Sequence, residues 1–100
     1  MVKHIILWTL KEDFSESEKY AIKQDIKVAL EGLHGKIPGL LDIKVNIGRL
    51  ESSTADLMLD STFENEAALK AYAVHPEHVK VADENVRPYT QQRSCLDFEL

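Results

Sequence analysis

Val2-Lys3-His4-Ile5-Ile6-Leu7-Trp8-Thr9-Leu10, residues 2–10, is the stretch that decides the fold. It is dominated by β-branched and large apolar residues, the composition of a strand. At a period of two, Val2, His4, Ile6, Trp8 and Leu10 fall on one face, and Ile5 and Leu7 on the other. A strand apolar on both faces is covered on both. Helices are expected on one side, and a second layer of another kind on the other.

Two further strands follow from alternation. Leu41, Ile43, Val45 and Ile47 alternate with Asp42, Lys44, Asn46 and Gly48, which predicts a strand with one apolar face. After a polar loop at 49–54, Leu57, Leu59 and Phe63 alternate with Asp56, Met58, Asp60 and Thr62. The two runs read as a hairpin. A turn near Ser52 sets Lys44 opposite Asp60, and such a cross-strand ion pair contributes about 0.2–1 kcal/mol. A last strand is expected over 91–100, with Ser94, Leu96 and Phe98 alternating against Cys95, Asp97 and Glu99.

Between the strands the period changes to that of a helix. Ser15 and Glu18 have the spacing of a capping box, and Ile22, Ile26, Ala29, Leu30 and Leu33 then form one apolar stripe. Gly35 and Pro38-Gly39 end that helix. Asn65 is a candidate cap for a short helix through Leu69 and Tyr72, and His75-Pro76 restarts the chain as another with Val79, Ala82 and Val86 inside. The order β-α-β-β-α-α-β is a split βαβ arrangement: an α+β, ferredoxin-like sandwich with a four-stranded antiparallel sheet. Helices are expected over the face with Ile43 and Val45. The half-apolar second face, with Ile5, Leu7, Met58 and Cys95, would be buried by pairing two sheets into a dimeric α+β barrel.

With 100 residues and 44% hydrophobic content, the chain is expected to be one globular domain, residues 1–100. A domain of this size buries only about 60–70% of its unfolded surface, so self-association would help it. The net charge of −5 and the scattering of 12 basic residues argue against nucleic acid as a partner. The opening apolar run is too short and broken for a signal or a membrane span, and the single Cys95 allows no internal disulfide, so a cytoplasmic protein is expected.

Four segments together resemble the stress-responsive α/β-barrel domain (Dabb) family over essentially the whole chain. They are Val2-Lys3-His4-Ile5-Ile6-Leu7, Ile37-Pro38-Gly39, Thr62-Phe63-Glu64 and Tyr72-Ala73-Val74-His75-Pro76-Glu77-His78. The resemblance implies a ferredoxin-like protomer that dimerises through its sheet. One member, the plant olivetolic acid cyclase, performs a cofactor-free aldol cyclisation, and the resemblance places its pocket residues at His4, Tyr72 and His78. Two of its polar pocket positions fall on Leu57 and near Leu30, so the resemblance implies a pocket but not that reaction.

His78 is the candidate general acid or base, because imidazole titrates near neutrality, and Tyr72 lies six residues before it as a hydrogen-bonding partner. The plain alternative is a histidine bonded to nearby backbone. His4 points toward the helices and is either a satisfied core residue or a third member of the site. Ile6, Trp8, Leu30, Leu57 and Leu59 are the expected apolar lining of a ligand pocket. His75 and His78, with Glu77 or Asp83, are a weak metal motif, His75 being explained as a helix start. No metal and no cofactor are therefore expected. Cys95 reads as a buried strand residue, and Asp56, Asp60 and Asp97 as solvated or ion-paired groups.

Three functions compete. One is a homodimer whose cavity holds a small hydrophobic molecule or nothing. Another is a cofactor-free lyase, cyclase or isomerase acting on a carbonyl-bearing ligand through His78, Tyr72 and His4. The third, a cofactor-free monooxygenase, rests on fold analogy alone.

Overall fold

The computed structural model describes residues 1–100. Four strands, β1 (Val2–Leu10), β2 (Leu40–Asn46), β3 (Leu57–Phe63) and β4 (Thr90–Glu99), form one antiparallel sheet in the order β2-β3-β1-β4. Helix α1 (Glu16–Glu31) crosses from β1 to β2, and α2 (Glu66–Val74) and α3 (Pro76–Val81) from β3 to β4. This is the ferredoxin-like order read from the sequence. No helix is long and apolar enough to cross a membrane.

The helix signals act where they were expected. Ser15 accepts from the Glu18 N–H, and Glu18 returns a bond to the Ser15 N–H at 2.8 Å. Asn65 Oδ1 accepts from the Ala68 N–H at 2.8 Å, and His75 Nδ1 from the Glu77 N–H at 3.1 Å, so each short helix has its own cap. Beyond α3 the chain widens into a π-helical turn, Ala82–Val86, which sequence periodicity did not signal. Gly39 has φ +82°, and a Cβ there would lie 2.5 Å from Ala68 Cβ, so glycine permits both the turn and the approach of α2.

Ile26, Leu30, Leu33, Ile37, Val45, Leu57, Leu59 and Phe63 meet between the helices and the sheet and are buried. Two readings of the strands need correction. A bulge lies between Leu40 and Asp42 in the pairing with β3, so Leu40 takes the inward place and Leu41 is left exposed. Lys44 is opposite Asp60, but Asp60 accepts instead from Lys3 Nζ at 2.8 Å, reached diagonally from β1.

The second sheet face carries Ile5, Leu7, Met58, Leu96 and Phe98, with Leu7, Leu96 and Phe98 exposed. Cys95 is not on it. Its partner in the register is Ile6, which turns the thiol to the helix side, and it is exposed rather than buried.

Candidate functional site

The helices cover β2 and β3 but stop short of β4, and the gap is a cavity of about 640 Å³. Ile6 and Trp8 on β1, Leu59 on β3 and Leu30 on α1 supply apolar lining, joined by Leu69, Ala73, Ala82 and Val86. Leu57 does not line it. It is buried in the core, paired with Trp8 near the far end of the sheet. The π-helical turn contributes Ala82 and Val86 to the wall and sets Arg87 at the rim.

His4, Tyr72 and His78 all reach this cavity. Period-two geometry turns His4 inward from β1, where it is buried with its ring 6.3 Å from Phe63 and 6.1 Å from Tyr72. Its Nδ1 pairs with Oδ1 of Asp97, directly opposite on β4. Donation from Nδ1 to the carboxylate leaves Nε2 as the free ring nitrogen.

Tyr72 does not hydrogen-bond to His78. Their rings lie 4.1 Å apart at 34°, a tilted contact made across the extended residue His75 that separates α2 from α3. The Tyr72 hydroxyl is buried and has no partner within the protein. Burial pushes its pKa upward, so it remains a neutral donor through the physiological range.

His78 is half-buried at the start of α3. Its Nδ1 lies 3.4 Å from the Ala73 carbonyl, which can only accept, so the proton belongs on Nδ1 and Nε2 is the basic nitrogen. Burial lowers its pKa, and the charges of Arg87, His4 and Arg93 add to that, while the Ala73 carbonyl opposes it. A neutral imidazole at neutral pH is the form a general base needs.

Sequence reasoning missed the contribution of β4. Arg93, Cys95 and Asp97 all face the cavity. Only the β1–β4 register, which pairs His4 with Asp97 and Ile6 with Cys95, brings them to it. Burial and the neighbouring Asp97 raise the Cys95 pKa, with Arg93 opposing. His75 spends its Nδ1 on the α3 cap, in keeping with its reading as a helix-start residue, and His34 is exposed.

A family model described as the stress responsive A/B barrel domain, Dabb, matches residues 2–100. The chain belongs to the Dabb family. A dimeric protein of unknown function and ferredoxin-like fold from Bacteroides fragilis is 34% identical, with a TM-score of 0.91 over 99% of this Dabb chain and 95% of its own. A dimeric ferredoxin-like protein from Thermobifida fusca superposes with a TM-score of 0.82 at 21% identity, covering 99% and 90% of the two chains, and shares the fold. In Arabidopsis thaliana, a stress-response A/B barrel domain-containing protein is 26% identical over 98% of this chain. The Dabb chain spans 36% of the length of that relative.

Proposed function

We propose that this Dabb protein is a homodimer whose cavity binds a small, mostly apolar molecule bearing a carbonyl, and that His78 moves a proton on that molecule without a cofactor. The observation that carries the reading is the Tyr72 hydroxyl. It is a buried donor with no partner in the protein, carried on a ring that lies 4.1 Å from the ring of His78 at the wall of the cavity. An unmade hydrogen bond of this kind costs about 1–3 kcal/mol, which a ligand oxygen in the cavity would recover.

The chemistry follows from the three groups. A carbonyl oxygen accepts from Tyr72 Oη, and a C–H bond beside that carbonyl breaks. Its proton passes to His78 Nε2, and the electron pair delocalises onto the carbonyl oxygen held by Tyr72. Return of the proton from His78 to another atom completes an isomerisation; attack of the carbanion on a second carbonyl carbon breaks that C=O π bond, and its oxygen takes the proton back from His78 to complete a cyclisation. His4, fixed by Asp97, positions the ligand from the sheet side. Pairing of the second sheet faces covers Leu7, Leu96 and Phe98, and a relative of 34% identity is described as dimeric.

Binding without turnover is the second reading, supported by the apolar lining of Ile6, Trp8, Leu30 and Leu59. Deuterium exchange beside the carbonyl of bound cyclic and aromatic ketones, followed by NMR in D2O, separates the two. Catalysed exchange that falls about 10²–10⁴-fold in His78→Ala establishes proton transfer. Binding with no catalysed exchange in the unmodified protein leaves a ligand carrier.

A further inference from the structure

We infer that His4, Cys95 and Asp97 form a binding site for one thiophilic divalent cation of the zinc class. The three residues lie on the helix side of adjacent strands. His4 faces Asp97 across the β1–β4 pair, and Cys95 stands two residues from Asp97 on β4. Nδ1 of His4, Sγ of Cys95 and a carboxylate oxygen of Asp97 all lie within 4.8 Å of one another.

The spacing fits a tetrahedral ion. With metal–ligand bonds of about 2.0–2.3 Å, donor atoms around zinc stand about 3.3–3.8 Å apart. Sγ is 3.8 Å from His4 Nδ1 and 3.5 Å from Asp97 Oδ1. The Nδ1–Oδ1 edge is closed by a hydrogen bond, and the ion replaces the proton held there while the two atoms separate to the tetrahedral edge.

Charge and donor type agree with the geometry. One thiolate, one carboxylate and a neutral imidazole balance a charge of +2. A mixed sulfur, nitrogen and oxygen set suits zinc or cobalt, whereas magnesium and calcium take oxygen ligands. The site is also built on strands: His4 is buried, and its carbonyl accepts from the Ser61 hydroxyl at 3.0 Å. Arg93, beside Cys95, is the nearby cation that opposes an incoming metal. Three protein ligands leave the fourth position to water or to a ligand in the cavity. The inference does not rest on proton transfer by His78, because binding is read without turnover.

The test is titration of the reduced, chelator-treated full chain with Co²⁺, read by absorption for the cobalt–thiolate charge-transfer band and by calorimetry for stoichiometry. One Co²⁺ per chain with that band, displaced by Zn²⁺, is expected. Cys95→Ser should abolish the band and weaken Co²⁺ binding at least tenfold, and Asp97→Asn should also weaken it. His34→Ala, altering an exposed histidine, should change neither. Cys95 is exposed, so its serine variant folds even if variants of buried His4 do not. Absence of the band in the unmodified protein, or equal Co²⁺ binding by Cys95→Ser, overturns the inference.

Discussion

β2 and β4 are both edge strands of one sheet, yet Lys27 and Glu31 of α1 occupy the outer backbone of β2 while β4 runs uncovered. Glu31 Oε2 accepts from the Val45 N–H at 2.9 Å, and Lys27 Nζ donates to the Val45 carbonyl at 2.8 Å and to Glu31 at 2.7 Å. Burial alone would raise the Glu31 pKa, but these partners, with Lys44, hold it below the ordinary carboxylate range. The β2 edge is thereby closed to further strands. On β4 every residue after Thr90 is exposed, with Leu96 and Phe98 on one face and Arg93, Cys95 and Asp97 over the cavity on the other. One half of the sheet is built for stability. The other carries unfinished surfaces, apolar on one side and chemical on the other.

That contrast is broken most forcefully at the core. Ile26→Ala, at a residue with no exposed surface, should cost about 2–5 kcal/mol in urea unfolding, against less than about 0.5 kcal/mol for Gln91→Ala at an exposed position of β4. Equal losses would remove the distinction between the halves.

A smaller effect is expected on the apolar side of β4. Leu96→Asp sets a charge on the face proposed to pair, and should weaken the dimer at least tenfold, about 1.4 kcal/mol, in sedimentation equilibrium. Because Leu96 is 62% exposed, the protomer should keep its far-ultraviolet circular dichroism. An unchanged association constant would move the interface elsewhere.

The smallest effect is the pH response at the cavity. Burial sets the folded pKa of His78 below its unfolded value of about 6.5. As pH falls below about 6.5 the unfolded chain takes up the proton first, so the stability this group contributes is present above that value and lost toward the lower folded one. The unmodified protein should therefore lose stability between pH 7 and 5 slightly more steeply than His78→Gln. Equal slopes would show that His78 titrates as a solvated histidine.

Much of this was legible in sequence because it is local. The capping box at Ser15 and Glu18, the cap at Asn65, the helix restart at His75-Pro76, and the alternation in β1 and β3 each depend on residues a few positions apart. The bulge at Leu41 was not legible, since strict alternation through residue 47 reads the same with or without it. The Lys3–Asp60 pair was missed because a diagonal neighbour depends on which strand lies on the far side of β3. His4, Tyr72 and His78 were reached by resemblance, whereas Asp97 read only as a solvated or ion-paired carboxylate, with nothing in the sequence to name His4 as its partner.

By itself, then, the sequence determined the element order, the fold class and which faces are apolar, because periodicity and capping are set by local backbone geometry. Only the tertiary structure decided that Asp97 and Cys95 meet His4, that Leu57 stays out of the cavity, and that Tyr72 is left without a partner. Those depend on the β1–β4 register and on where α2 and α3 stop, which no short stretch of residues specifies.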